Sequence, residues 1–274
     1  MKLLLGSLVA EVNGIDFPLV ERQTNLERFV TDGAADFVVD AVVGKVPRSE
    51  WRRAEWFPGQ WDKARRQVTF RRTGCSAVVD LDARHVRMTL GGPWALAVDY
   101  LLAPAIQVLA PELRRGAMFH ASSAVADELA AVFLGRSGAG KTTAGALARQ
   151  AGAELISEEI TYVALEPQGA RLCALPFRQK YKLATPGPGA YPLPAFYALQ
   201  QSDKDAIEPI PSKEWFKQLL ARAVVGLRDR TFSVPVLEMC EALAERVPVR
   251  RLSFLNTPAF WQLVEEDMRA RVTP

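Results

Sequence analysis

The sequence predicts a mixed α/β protein, and two patterns along the chain support this fold class. Residues 1–92 contain short segments in which apolar and polar residues alternate, separated by Gly, Pro and Asp turns, as in half-buried strands. Further along, the apolar run 129–134 ends at a glycine-rich loop, and an Ala-rich, helix-competent stretch follows at 143–150. The chain therefore combines a β-rich N-terminal module, a strand–loop–helix unit and a C-terminal part with helical patterns.

The first half of the chain is predicted to consist mainly of strands. In the N-terminal module these are 3–12, 37–43, 68–71, 77–81 and 85–90. The first is interrupted by Glu11 and lacks a convincing cleavage site, so we interpret it as a strand and not as a signal peptide. Loop anchors that pack on the sheet are predicted at Trp51, Trp56 and Trp61, with ligand stacking as the alternative.

The rest of the chain alternates between helix and strand. Residues 93–113 have an apolar stripe at helical spacing, which Pro104 should kink or divide. Strands are predicted at 117–126, 129–134, 154–156, 160–165, 171–175 and 249–255, the first two forming an antiparallel hairpin. The helix after the glycine loop should stop at Gly152, and the proline-rich stretch 176–194 is predicted to be a functional loop. The remainder is expected to be helical, with Ser212 and Ser233 as N-caps and a last helix from Thr257-Pro258.

Composition limits the classes of function. Of 274 residues, 49% are hydrophobic and 24% charged, which is typical of a globular protein in solution. The net charge of +3 is small and the arginine pairs are scattered, so nucleic acid is not an expected partner. No run approaches the length of a membrane helix. Three isolated cysteines and two histidines have no zinc-ligand spacing, so we expect a cytoplasmic protein without structural zinc.

The segment 135–142 matches the phosphate-binding P-loop pattern G-x-x-x-x-G-K-[ST]. Gly138 and Gly140 would let the loop curl until its backbone N–H groups point at phosphate oxygens. Lys141 would reach the β- and γ-phosphates, and Thr142 would offer its hydroxyl to Mg²⁺. The residues predicted to bind ATP, or another nucleoside triphosphate, are Gly135, Arg136, Ser137, Gly138, Ala139, Gly140, Lys141, Thr142 and Thr143.

Three motifs resemble, in order and spacing, the kinase core of the HPr kinase/phosphorylase superfamily: Phe119-His120-Ala121-Ser122, the P-loop, and Leu155-Ile156-Ser157-Glu158-Glu159-Ile160. In that family a His–small pair precedes a Gly-x-Ser-Gly-x-Gly-Lys-Ser/Thr loop, and an apolar strand then ends in Asp-Asp. The resemblance covers residues 117–175, and residues 248–254 are similar to the family's late strand. The HPr-kinase-related proteins of peptide-modifying clusters are more similar than the carbon-regulation enzyme.

The resemblance implies a role for each matching residue. His120 would lie near the γ-phosphate, and Lys141 would act in catalysis. Glu158 falls where the family has the Asp that deprotonates the acceptor serine, and Glu159 falls where the second Asp is associated with Mg²⁺, beside Thr142. These roles fit phosphoryl transfer, which needs a base for the nucleophile and cations for the phosphate charge.

The Glu-Glu pair departs from the family's Asp-Asp pair. One extra methylene moves each carboxylate by about 1.5 Å, and a misplacement of about 1 Å can cost ~10²-fold in rate. Either the site has readjusted or catalysis has weakened. The alternative for Glu158 and Glu159 is a pair of strand-end surface acids, and the alternative for His120 is a core histidine.

The family's Arg-Gly-Gly-type loop is missing from this sequence. Its nearest cationic replacements are Arg178, Lys180 and Lys182 in the proline-rich stretch, as substrate contacts or as a solvated basic loop. HPr itself is therefore not the expected substrate.

Together these observations predict three segments and one activity. The segments are the module 1–92, a bridging helix 93–116 and a P-loop kinase-like domain 117–274. The predicted activity is that of an HPr-kinase-like serine kinase, an ATP- and Mg²⁺-dependent phosphotransferase acting on a protein or peptide. The alternatives are a catalytically weakened nucleotide-binding scaffold and a small-molecule kinase. Homo-oligomerisation is left open, and no membrane partner is expected.

Overall fold

The structure is a computed structural model that describes residues 1–14, 26–46, 59–72, 75–91, 98–177, 187–225 and 233–272. Within these ranges the chain forms two β-sheets and five α-helices. The predicted mixed α/β fold is confirmed. None of the described helices is long and apolar enough to cross a membrane.

The first sheet is built from the first 90 residues and has seven strands in the order β1-β2-β3-β7-β6-β5-β4. Its strands are β1 (Lys2–Leu5), β2 (Leu8–Asn13), β3 (Phe37–Val43), β4 (Gly59–Asp62), β5 (Gln67–Arg72), β6 (Cys75–Asp80) and β7 (His85–Leu90). β3 pairs in parallel with β2 and β7, and the other pairs are antiparallel. A short 3₁₀ helix at Leu26–Phe29 packs beside β1.

The second sheet has nine strands, in the order β13-β12-β11-β8-β9-β14-β16-β15, with β10 also paired to β8. They are β8 (Gly116–Ala126), β9 (Leu129–Leu134), β10 (Glu154–Ser157), β11 (Ile160–Glu166), β12 (Gly169–Cys173), β13 (Ala190–Pro192), β14 (Ala195–Gln201), β15 (Ala206–Pro209) and β16 (Val249–Phe254). β9, β14 and β16 are mutually parallel neighbours. Their carboxyl ends therefore meet at one edge of the sheet.

The helices cover both faces of the second sheet. They are α1 (Val98–Glu112), α2 (Lys141–Gln150), α3 (Ser212–Leu220), α4 (Val234–Arg246) and α5 (Phe260–Val272). Alternate residues of β9 enter different cores, as the two-residue period of a strand requires. Phe133 packs with α2 and α5, whereas Leu134 belongs to the larger core that contains residues of α1 and α4.

Many predicted elements are confirmed, with β3 and β7 at their predicted bounds and β8 and β9 as an antiparallel hairpin. The prediction of one strand over 3–12 is wrong, because the chain turns at Gly6 and forms the β1–β2 hairpin. Pro104 does not divide α1, which is buried throughout 102–110. The helix after the glycine loop stops as predicted at Gly152, which has a φ of +103°.

The largest error concerns the end of the proline-rich stretch and the region that follows it. The sequence prediction contained no strand there, yet the structure has β13, β14 and β15, with β14 between β9 and β16 in the middle of the sheet. Ser212 is the first residue of α3 and Pro211 takes the N-cap position, whereas Ser233 is the N-cap residue of α4. Trp61 lies on β4, and Trp51 and Trp56 fall outside the described residues. The predicted domain bounds stay a prediction.

The two sheets share one continuous hydrophobic core, and Tyr162 of β11 lies where they meet. Its hydroxyl forms a 2.7 Å hydrogen bond with Ser7 Oγ, which also donates to the Arg115 carbonyl at 3.1 Å. Burial raises the pKa of the Tyr162 phenol. The β1–β2 turn therefore packs directly against the sheet that contains the P-loop.

We expect Gly6→Ala to lower the free energy of unfolding by about 2–5 kcal/mol, because it combines backbone strain with overpacking. Gly6 has a φ of +68°, and a methyl group there would overlap the Tyr162 ring. Gly152→Ala is the control: its φ is also positive, but nothing lies within 4 Å of the added methyl group. It should lose only about 1–2 kcal/mol. Urea unfolding measures both losses, and equal losses would contradict the close contact between the sheets.

Candidate functional site

The P-loop connects the end of β9 to the start of α2 and has the backbone conformation that its glycines allow. Gly138 and Gly140 have φ of +80° and +97°, in the left-handed region that side chains disfavour. A Cβ at Gly138 would meet no atom within 4 Å, so backbone at this point is open to a ligand. Arg136, Ser137 and Gly138 are exposed, and Ala139 and Gly140 are half-buried. The loop therefore has the curled, accessible shape needed to cradle phosphate.

The N-terminus of α2 has donors that the protein's side chains leave uncapped. Gly140 is the N-cap residue, no side chain caps the helix, and its first turn contains no acidic residue. The backbone N–H groups of the first turn and the helix dipole favour an anion at this position. Ser122 Oγ donates to the Lys141 carbonyl at 2.7 Å, which holds this turn against β8.

Lys141 lies across the loop. Its Nζ donates to the carbonyls of Gly135 at 2.9 Å and Arg136 at 3.1 Å. Burial lowers the pKa of Lys141, the positive charge of Arg222 lowers it further, and Glu159 opposes the shift. Lys141 is thus half-buried near another cation. A bound anion would offset the repulsion between the two positive charges.

Two further strand ends complete the surroundings of the loop. Gln201, the last residue of β14, donates from Nε2 to the Gly138 carbonyl at 3.3 Å. Phe254, the last residue of β16, packs against Gly140 so closely that a Cβ there would lie 3.2 Å from its ring. In open parallel sheets, ligands bind at the carboxyl ends of the strands, and this loop is at such an edge.

β8 and β10 place the other predicted residues at the same edge. Ala121 of β8 is opposite Leu134, the last residue before the P-loop, and its N–H donates to the Glu159 carbonyl at 3.2 Å on the other side. His120 precedes it by one residue and is half-buried. β10 and β11 pair with β8 in succession, and the register of the β10–β8 pair shifts between Leu155 and Ser157. Glu158 and Glu159 follow this irregularity, two strands away from the start of the P-loop.

The two glutamates differ in environment. Glu158 is only 7% exposed, whereas Glu159 is exposed. The charge of Glu159 influences both Lys141 and His120. Burial lowers the pKa of His120 and the Lys141 charge lowers it too, while the charge of Glu159 and a hydrogen bond with its backbone raise it. Glu159 is therefore the carboxylate whose field reaches the lysine of the P-loop.

The structure thus brings together His120, the P-loop, Thr142 and the Glu158–Glu159 pair. Thr142 is half-buried and Thr143 is exposed at the start of α2. Arg178, Lys180 and Lys182 fall outside the described residues. The sequence interpretation missed Gln201 and Arg222, because neither belongs to a recognisable motif and both reach the loop only through the sheet topology.

The site also contains side-chain oxygen atoms of the kind that Mg²⁺ prefers. Within the described part of the chain, no group of three or more His, Cys, Asp or Glu side chains is arranged to hold a metal ion. Magnesium sites that act with phosphates usually take only one or two carboxylates from the protein, together with phosphate and water oxygens. The Thr142 hydroxyl and the Glu159 carboxylate are the oxygen groups near the P-loop that could bind such an ion.

Comparisons with known proteins add one distant structural similarity. No family model and no curated protein matches the chain. Among solved structures, the chain is similar to the Hpr(Ser) kinase/phosphatase from Coxiella burnetii, with 11% sequence identity and a TM-score of 0.30. The match covers 56% of this chain and 94% of the other. We draw no functional conclusion from a similarity at this level.

Proposed function

We propose that this protein is an ATP- and Mg²⁺-dependent phosphotransferase that moves the γ-phosphoryl group to a hydroxyl, with a serine of a protein or peptide as the favoured acceptor. The observation that supports it is the convergence of a curled P-loop, an uncapped helix N-terminus, Lys141, His120 and two glutamates at one sheet edge. Each of these groups has a task in phosphoryl transfer. The resemblance of the three motifs to the HPr kinase superfamily favours serine as the acceptor.

The P-loop residues would bind and orient the nucleotide. Backbone N–H groups of Gly138 to Thr143 would donate to the phosphate oxygens, and Lys141 would exchange its two carbonyl partners for the β- and γ-phosphates. Bound Mg²⁺ would neutralise part of the phosphate charge, and Thr142 and Glu159 are its candidate ligands. Holding both reactants in line contributes much of the rate enhancement in such reactions.

The acceptor must lose a proton as it attacks. The hydroxyl oxygen forms a bond to the γ-phosphorus, the bond from that phosphorus to the β–γ bridging oxygen breaks, and the hydroxyl proton passes to a base. Glu158 is our candidate for this base, because it follows β10 at the same edge as the P-loop. His120, with a lowered pKa, would be neutral near pH 7 and able to donate or accept a hydrogen bond near the γ-phosphate.

The direct test combines binding with turnover. Calorimetry with Mg–ATP would measure nucleotide affinity, and release of ADP would be followed with serine-containing peptides and with small hydroxyl compounds. Acceptor-dependent ADP release is the expected result. Binding without turnover on any acceptor would favour a scaffold, and turnover only on small hydroxyl compounds would favour a small-molecule kinase.

Lys141→Ala should reduce turnover by about 10²- to 10³-fold, because it removes the cation that compensates phosphate charge. The fold should persist, since Ala is a good helix residue at the start of α2. Lys217→Ala, which removes an exposed lysine from α3, is the control and should retain full activity. Steady-state kinetics and circular dichroism measure both effects, and wild-type turnover in Lys141→Ala would refute the P-loop assignment.

Glu158→Gln should lower turnover by roughly 10²- to 10⁴-fold with nucleotide affinity nearly unchanged, as for loss of a general base. Glu154→Gln, an exposed glutamate on the same strand, should have no effect. Glu158→Asp should keep or increase activity if the site retains the family's geometry. Unaltered transfer in Glu158→Gln would show that Glu158 is not the base.

Thr142→Ala and Glu159→Gln should both raise the Mg²⁺ concentration needed for half-maximal activity by about tenfold, because each removes an oxygen ligand that a hard cation prefers. Magnesium titrations at fixed ATP would measure this shift. Saturating metal should restore much of the lost rate in both variants. A titration curve identical to wild type in either variant would exclude that residue as a ligand.

A further inference from the structure

A short segment after α3 continues the line of β9 beyond the point where β9 ends. Ala223 forms an antiparallel bridge with Phe119 of β8, the N–H of His120 donates to the Arg222 carbonyl at 2.8 Å, and the Val224 N–H donates to Met118 at 2.8 Å. β9 pairs with β8 up to Leu134, opposite Ala121. Arg222 therefore lies opposite the next residue of β8, about 3.4 Å further along the sheet. At this position the chain of β9 has already turned away into the P-loop.

This register determines the face on which the Arg222 side chain lies. Arg222 is directly opposite His120, and opposed residues of antiparallel strands have their side chains on the same face, with Cβ atoms about 4.5–5.5 Å apart. Ser122, two residues after His120, is also on that face and holds the first turn of α2. Arg222, His120 and the α2 N-terminus therefore share one face of the sheet.

Among the described residues, the guanidinium group of Arg222 has positive neighbours and no acidic partner. Its Nη1 donates to the Ala221 carbonyl at 2.8 Å, and its buried Nε has no hydrogen-bond partner. In the described ranges it forms no ion pair. Burial lowers the pKa of Arg222 and the charge of Arg136 lowers it further, while Arg222 in turn lowers the pKa of Lys141. Arg222, Arg136 and Lys141 therefore influence one another's site as like charges, and no carboxylate of the described ranges pairs with Arg222.

We propose that Arg222 binds the terminal phosphate of the nucleotide and stabilises the charge of the transferring phosphoryl group. A half-buried guanidinium with unused donors beside two other cations is suited to a polyanion, because each N–H can donate to a phosphate oxygen in fork geometry. Its position opposite His120 and near Lys141 favours the γ end of the triphosphate. No bond forms or breaks at Arg222, and it remains protonated throughout.

This inference rests on the proposed function, since it requires a nucleotide in the P-loop. The test measures the affinities of ATP and ADP for the full chain by calorimetry with Mg²⁺ present. Arg222→Gln should weaken ATP binding by about 10- to 100-fold and leave ADP binding within about twofold, because a lost charge-assisted hydrogen bond affects only the ligand that reaches it. Arg222→Lys should recover part of the loss, since it keeps the charge but not the fork.

Two comparisons separate the possible failures. Arg251 is a half-buried arginine of β16 that pairs with Glu208, and Arg251→Gln should bind both nucleotides as wild type does. If Arg222→Gln binds ATP as tightly as wild type does, the role of Arg222 is overturned and the proposed function is left intact. If wild type binds neither nucleotide, the proposed function itself fails and this inference with it. If Arg222→Gln does not fold, Arg222→Lys is used for the test. Wild-type ATP affinity together with wild-type turnover in Arg222→Lys would overturn the bidentate contact of Arg222 with phosphate.

Discussion

Strand β8 is the constraint on which the rest of the site depends. It is hydrogen-bonded on both sides, to β9 and the Arg222–Val224 segment along one side and to β10 and β11 along the other. Because this pairing fixes the register on both sides of β8, residues that are distant in sequence lie side by side across the sheet. The P-loop begins beside Ala121, and Glu159 is hydrogen-bonded to the same residue from the opposite side. A slip of one residue would move His120 to the other face.

The electrostatics of this edge are consistent with a site for an anion. Lys141 and Arg222 are partly desolvated, which lowers the pKa of both groups; the charge of Arg222 lowers the pKa of Lys141 further, and the charge of Arg136 does the same for Arg222. Among the described residues, Glu159 is the carboxylate that opposes this shift at Lys141. An uncompensated set of cations costs stability unless something binds there. Such local strain is typical of functional sites and not of surfaces selected for stability alone. The open backbone donors of α2 add to the same field.

The described N-terminal sheet packs against the sheet that contains the P-loop. Ser7 and Tyr162 form a hydrogen bond across the boundary, and both sheets enter one hydrophobic core. β11, which carries Tyr162, pairs with β8 directly opposite His120. The N-terminal sheet therefore packs against β11, the strand that is paired with β8 beside the site.

The sequence by itself determined the local features: the strand–loop–helix unit around 135–142, the β8–β9 hairpin, and the strands β3 and β7, because their signals lie in contiguous residues with a clear period. It also showed that Glu158 and Glu159 follow an apolar strand, although their roles stay a prediction. Only the tertiary structure decided that β14 lies inside the sheet, that Gln201 and Phe254 close around the loop, and that Arg222 takes the place vacated by β9. These contacts join residues more than 50 positions apart. Their partners are chosen by hydrogen-bond register and shared burial, which no local pattern in the sequence encodes.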